Sequence, residues 1–254
     1  MKCQMTMQED YKIDEKGMPM TEMLYEGKAK QVFATGNPEV IIIHYKDDAS
    51  AYNGIKRAQI ANKGEWNNKI SSIIYERLEK EGIKTHFIRR IDDRNQLCKR
   101  VKVIPIEVIV RNRAAGSMAR RLGLPEGMQP KNTIYEYCYK NDELNDPLIN
   151  EHHAVALGIS TYEELDEIHG ITERINCLLT EMFARIGVTL VDFKIEFGRT
   201  ADGTLVLSDE LSPDTCRLWD ADTQEKLDKD RFRRDLGRVG EAYNEILSRL
   251  SRLD

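Results

Sequence analysis

Residues 191–198, Val-Asp-Phe-Lys-Ile-Glu-Phe-Gly, alternate apolar and charged side chains without a break. Strand side chains repeat every two residues, so Val191, Phe193, Ile195 and Phe197 share one face, and Asp192, Lys194 and Glu196 share the other. Asp202-Gly203 then reads as a two-residue hairpin turn, with Leu205-Val206-Leu207 as the returning strand. In that register Ala201 pairs with Thr204, and Asp209 lies directly across from Glu196. Two carboxylates so placed have Cβ atoms roughly 5 Å apart and repel. The charged face is then either a wet, mixed-charge surface or a set of hard oxygen ligands. In the second reading the ligands hold Mg²⁺ carrying a nucleotide phosphate, with Lys194 beside them.

The chain has 254 residues, enough for one large domain or two small ones. A net charge of −5 excludes a general affinity for nucleic acid or anionic membranes, so any basic patch is local. The five cysteines are scattered with no CxxC pair, which argues against a zinc site or disulfide framework and fits a reducing cytoplasm. No apolar run approaches the roughly 18 residues of a membrane span. Residues 1–20 are polar and Met-rich, without the apolar core of a signal peptide, and read as an extension outside the fold.

Residues 21–35 read as strand, tight turn, strand, with Gly27, Lys28, Ala29 and Lys30 at the tip. A glycine turn followed by lysines offers backbone N–H groups and ammonium charge to phosphates, or is simply a charged hairpin tip. It has neither P-loop nor GxGxxG spacing. Val40–Tyr45 is a buried strand, and 46–54 is a turn region ending in Asn53-Gly54. Asn62–Glu81 has a helical stripe (Trp66, Ile70, Ile73, Ile74, Leu78) with Gly82 as its stop. Residues 83–90 and 96–103 read as short strands, and 103–112 as another buried strand. A mostly antiparallel sheet with one long helix thus fills the first hundred residues.

Arg111, Arg113, Arg120 and Arg121 surround Ala-Ala-Gly-Ser at 114–117. Arginine forks match carboxylate and phosphate geometry, and small residues let backbone N–H groups approach a ligand. An exposed basic helix start fits the same residues. Residues 125–159 are loop-rich, with Tyr135–Tyr139 as a strand and His152-His153 on a loop. Ser160 with Glu163 forms a capping box for a long amphipathic helix ending at Gly187. Arg217 and Asp220 follow the candidate metal carboxylates. Arg231, Arg233 and Arg234 open the last helix, whose stripe runs Phe232, Leu236, Val239, Tyr243, Ile246, Leu247 and Leu250. Cations at a helix N-terminus are unfavourable unless an anion lies nearby. Three basic sites and one acidic pair on an acidic chain suit small, multiply anionic ligands with Mg²⁺, the division of labour of phosphoryl chemistry.

LYEGKAKQVF, VIVRNRAAGS, VDFKIEFG, DELSPDTCRLWD and KDRFRRDLG occur in that order over about residues 22–250. In this the sequence resembles the phosphoribosylaminoimidazole-succinocarboxamide synthase (SAICAR synthetase) family. The resemblance implies an α+β, two-lobed fold related to ATP-grasp and kinase-like folds. Residues 21–103 would form the smaller, antiparallel ATP-binding lobe, and 104–254 the larger α+β lobe for substrate and metal. It implies a cytoplasmic, magnesium-dependent ligase of purine biosynthesis, a possible homodimer. Its substrates would be ATP, L-aspartate and carboxyaminoimidazole ribonucleotide (CAIR), and its product SAICAR, made through an acyl phosphate. By the family pattern, Gly27, Lys28, Ala29, Lys30, Lys102, Val103, Ile104 and Lys194 bind ATP. Glu196 and Asp209 hold Mg²⁺ and, with Lys194, are catalytic. Arg111, Ser117, Asp192, Arg217 and Arg233 hold CAIR. A small-molecule kinase of similar fold and a nucleotide-binding regulatory module are the alternatives. Aspartate-dependent ADP release separates the ligase from the first, and loss of function on changing Glu196 or Asp209 from the second.

Overall fold

The computed structural model describes residues 20–52 and 54–253. Residues 1–19 of the extension expected over 1–20, and the Asn53 half of the Asn53-Gly54 turn, lie outside them.

The first part of the chain runs β1 (Met23–Glu26), β2 (Lys30–Ala34), β3 (Val40–Tyr45), β4 (Asp48–Ala51), β5 (Lys56–Gln59), α1 (Lys63–Lys80), β6 (Phe87–Arg90) and β7 (Asn95–Lys99). The second runs β8 (Lys102–Arg111), α2 (Gly116–Leu122), β9 (Ile134–Tyr139), β10 (Leu148–Ile149), α3 (Glu151–Ala156), α4 (Tyr162–Arg185), β11 (Val188–Arg199), β12 (Leu205–Ser208), β13 (Cys216–Asp220), α5 (Asp230–Arg233) and α6 (Val239–Leu250). One sheet has the order β1-β2-β3-β7-β6; the other has β10-β9-β8-β11-β12, with β13 on the first half of β11. Every pairing within both is antiparallel. Arg100 and Val101 connect the two sheets. A second tie joins them where Leu207 N donates to the Lys84 carbonyl and His86 N to that of Leu207.

The main core is continuous across this junction. Ile70, Ile74 and Leu78 of α1 join Ile106, Val108 and Val110 of β8, Phe193, Ile195 and Phe197 of β11, and Ile175, Leu179 and Phe183 of α4. Each such side chain contributes about 1.5–3 kcal/mol by leaving water. Val191 departs from the expected face. A bulge between Leu190 and Asp192 turns it to pack with Ala115 and Trp219.

Several expectations are corrected. The β11–β12 loop holds three residues, not two. Gly203 N donates to the Thr200 carbonyl, Thr200 N to that of Thr204, and Gly203 takes φ +85°. This is a turn with a glycine bulge, which shifts the register by one. Ser208, not Asp209, pairs with Glu196. The expected turn region 46–54 contains β4, which pairs with β5 in a hairpin, and its Ala49 and Ala51 pack on Phe232. Helix α4 is capped by Thr161, which accepts from Glu164 N, not by Ser160. His153 sits in α3 and closes a capping box with Asn150. The last helix is broken: α5 is a single turn, and left-handed residues at Asp235, Gly237 and Arg238 separate it from α6. Leu236, in that break, is exposed.

Candidate active site

A cleft of about 1300 Å³ runs between the sheets. The β1–β2 turn forms one wall with Gly27, Lys28, Ala29 and Lys30; the charged face of β11 forms the floor with Asp192, Lys194 and Glu196. Asp209 reaches the same place by a route the sequence did not show. It follows β12 with φ +66°, and this left-handed step turns its side chain toward Lys194.

Four carboxylates and three ammonium groups crowd this end. Lys194 Nζ is 2.7 Å from Glu196 Oε1, 3.0 Å from Glu107 Oε1 and 3.2 Å from Asp209 Oδ2. Lys140 pairs with the other Glu196 oxygen. Lys30 reaches across from β2 to Asp209, and lies 3.1 Å from Glu210 Oε1. Burial opposes charge on Lys30 and Lys194, but the neighbouring carboxylates prevail and hold both well above the ordinary lysine range. Burial likewise opposes charge on Asp209, and Lys30, Lys194 and Lys140 outweigh it, so Asp209 stays ionised. At the loop tip Lys28 meets Asp142 at 2.7 Å.

These groups suit a hard divalent cation. Glu196 and Asp209 offer oxygen atoms to one point now bridged by an ammonium, and the Ser208 hydroxyl and His86 Nε2 border the cleft, buried without hydrogen-bond partners. Among the described residues no three His, Cys, Asp or Glu side chains form a ready-made metal cage. Mg²⁺ needs only one or two carboxylates and fills the rest of its sphere with phosphate and water.

At the other end, a chain of alternating charges joins all five expected substrate residues. Arg111 donates to Glu136 Oε2 at 3.1 Å, to Asp192 Oδ2 at 2.8 Å and to the Ser117 hydroxyl at 3.1 Å. Arg217 meets the same Asp192 oxygen at 2.8 Å and Asp230 at 2.9 Å. Arg233 donates to Asp230 at 2.6 Å. Gly116 makes room for this: it has φ +54°, and a Cβ there would fall 2.4 Å from the Arg217 guanidinium. Asp230 also supplies the anion that the basic helix start required.

Of the remaining expected residues, Val103 borders the cleft, whereas the Lys102 side chain points to solvent outside it and that of Ile104 is in the core. Only their backbone is left to serve a ligand. Sequence reasoning missed Glu107, Lys140, Glu210, Asp214 and Lys229. Glu107 had a signal, as a lone charge inside the apolar strand 103–110. Lys140 had none, since it sits just past β9 in a loop-rich stretch.

A family model described as SAICAR synthetase matches residues 23–250. A phosphoribosylaminoimidazole-succinocarboxamide synthase of Clostridium botulinum (strain Alaska E43 / Type E3) is 63% identical over 92% of this chain and 100% of its own. The crystal structure of the Ehrlichia chaffeensis synthase of that name superposes with a TM-score of 0.89 at 47% identity, covering 92% of this chain and 100% of that one. A SAICAR synthetase in complex with ADP superposes at 0.88 with 46% identity, covering 91% and 97%.

Proposed function

The chain belongs to the SAICAR synthetase family, ATP-dependent ligases of purine biosynthesis, and on that footing we propose how its cleft joins L-aspartate to the carboxylate of CAIR. Residues 21–103 are the nucleotide lobe, and 104–254 carry substrate and metal. Gly27, Lys28, Ala29 and Lys30 cover the ATP phosphates, and the backbone of 102–104 meets the adenine edge. Arg111, Ser117, Asp192, Arg217 and Arg233 hold CAIR and its phosphate. The observation that carries this reading is β11. It sets Asp192 in the arginine network and, four residues on, Glu196 in the lysine–carboxylate cluster of one cleft.

A carboxylate is a poor acceptor for an amine because its leaving group is oxide. Moving the γ-phosphoryl group to the CAIR carboxylate gives an acyl phosphate. The aspartate amine then attacks, and phosphate leaves. Lys30 and Lys194 stay charged through this cycle and spread the transferring negative charge. Mg²⁺ held by Glu196 and Asp209 would neutralise charge between the phosphates. The protein supplies position and fixed charge, and no Ser-His or Cys-His pair is needed. A cytoplasmic homodimer belongs to the same proposal.

The test is ADP release with CAIR, measured with and without aspartate. Release that requires aspartate supports the ligase; equal release without it points to a kinase.

A further inference from the structure

The reaction must strip a proton from the aspartate ammonium, and the lysines that ring the cleft differ in their capacity to do so. Lys30, Lys46, Lys140 and Lys194 each lie against one or more carboxylates. Lys229 does not. It lines the cleft at the start of α5, and the nearest carboxylate oxygen to its Nζ, Asp214 Oδ2, is 3.9 Å away. No hydrogen bond reaches that Nζ among the described residues. Asp214 has other neighbours: Lys63 Nζ forms an ion pair 2.6 Å from its Oδ2, and the Tyr243 hydroxyl donates to Oδ1 at 2.7 Å, while Oδ2 accepts no hydrogen bond among the described residues.

We propose that Lys229 is the base that deprotonates the attacking amine, beside an Asp214 carboxylate that attracts the ammonium into place. This rests on the ligase reading above. The Lys229 Nζ lone pair takes one proton from the aspartate ammonium. The freed amine pair forms the C–N bond to the acyl carbon, the C–O bond to phosphate breaks, and phosphate leaves with the electrons of that C–O bond. The second amine proton goes to the departing phosphate. The surroundings lower the proton affinity of Lys229 below the ordinary lysine value. Burial lowers its proton affinity most, Lys63 and Arg233 add to this, and Asp214 and Glu210 only partly oppose them.

Lys229→Gln and Lys229→Arg test the assignment, with kcat at saturating aspartate followed against pH. Both variants are expected to lose about 10²–10⁴-fold in aspartate-dependent turnover near neutrality. Their residual rate should climb about tenfold per pH unit as solution base replaces the lysine, while the wild-type rate levels off. A Lys229→Arg enzyme with wild-type kcat and only a raised KM for aspartate overturns the proposal, because a cation alone then suffices. Parallel, pH-independent losses also overturn it, marking Lys229 as structural. ADP release driven by hydroxylamine, already unprotonated at neutral pH, is a second readout: survival in both variants supports the base. Wild-type enzyme with no aspartate-dependent ADP release would instead overturn the ligase reading itself.

Discussion

Lys30 of β2 and Asp209, just beyond β12, form a direct ion pair that ties the two sheets together across the mouth of the cleft. Both side chains are largely buried, so each depends on the other for its charge. Lys30→Met is expected to lower activity at least ~100-fold through lost phosphate stabilisation. It should also cost about 3 kcal/mol of stability, because Asp209 and Glu210 lose their nearest cation. Steady-state ADP release and urea denaturation check the two effects separately.

Glu196 accepts from both Lys194 and Lys140. Glu196→Gln keeps the shape and removes the charge. The expected outcome is a fall of about 10²–10³-fold in kcat with a higher Mg²⁺ requirement, measured by titrating Mg²⁺ at fixed ATP.

Gly116 gives way to Arg217, and only a residue without a Cβ fits there. Gly116→Ala should displace the guanidinium and loosen its contact with Asp192. The expected result is a KM for CAIR raised about tenfold or more, with the KM for ATP unchanged.

Asp228 is wholly buried and accepts from Leu218 N and Asp230 N, both at 2.7 Å. Burial, reinforced by the Asp230 charge, pushes its carboxyl from 3.8 up to about 7. A folded-state value above the unfolded one means the native protein binds the extra proton. Its stabilising contribution is full below 3.8 and lost as pH rises through about 7. Asp228→Asn removes this titration. The stability gap between wild type and variant should therefore shrink, or change sign, between pH 4 and pH 8 in thermal melts.

The sequence disclosed more of the site than of its framing. Alternation in 191–198 placed Asp192, Lys194 and Glu196 correctly, because a strand's two faces follow from the backbone alone. The hairpin register was missed by one, since Asp202-Gly203 serves two turn types equally well and only the Thr200–Thr204 hydrogen bonds choose between them. The nearness of Asp209 to Glu196 was thus foreseen for a wrong reason: left-handed backbone at Asp209, rather than pairing, brings it there. Local pattern also hid the β4–β5 hairpin, whose small, polar residues gain their burial from Phe232, far along the chain. The break before α6 escaped notice because Phe232 and Leu236 keep helical spacing with the stripe that follows.

Glu196 and Asp209 are proposed together to hold the cation that accompanies the nucleotide. A crystal structure with ADP and Mg²⁺ bound decides this. The expected result is a single cation at about 2.1 Å from an oxygen of each carboxylate and from a phosphate oxygen, with Lys194 moved aside. A cation held by phosphates and water alone, with Lys194 still bridging the two acids, would contradict it.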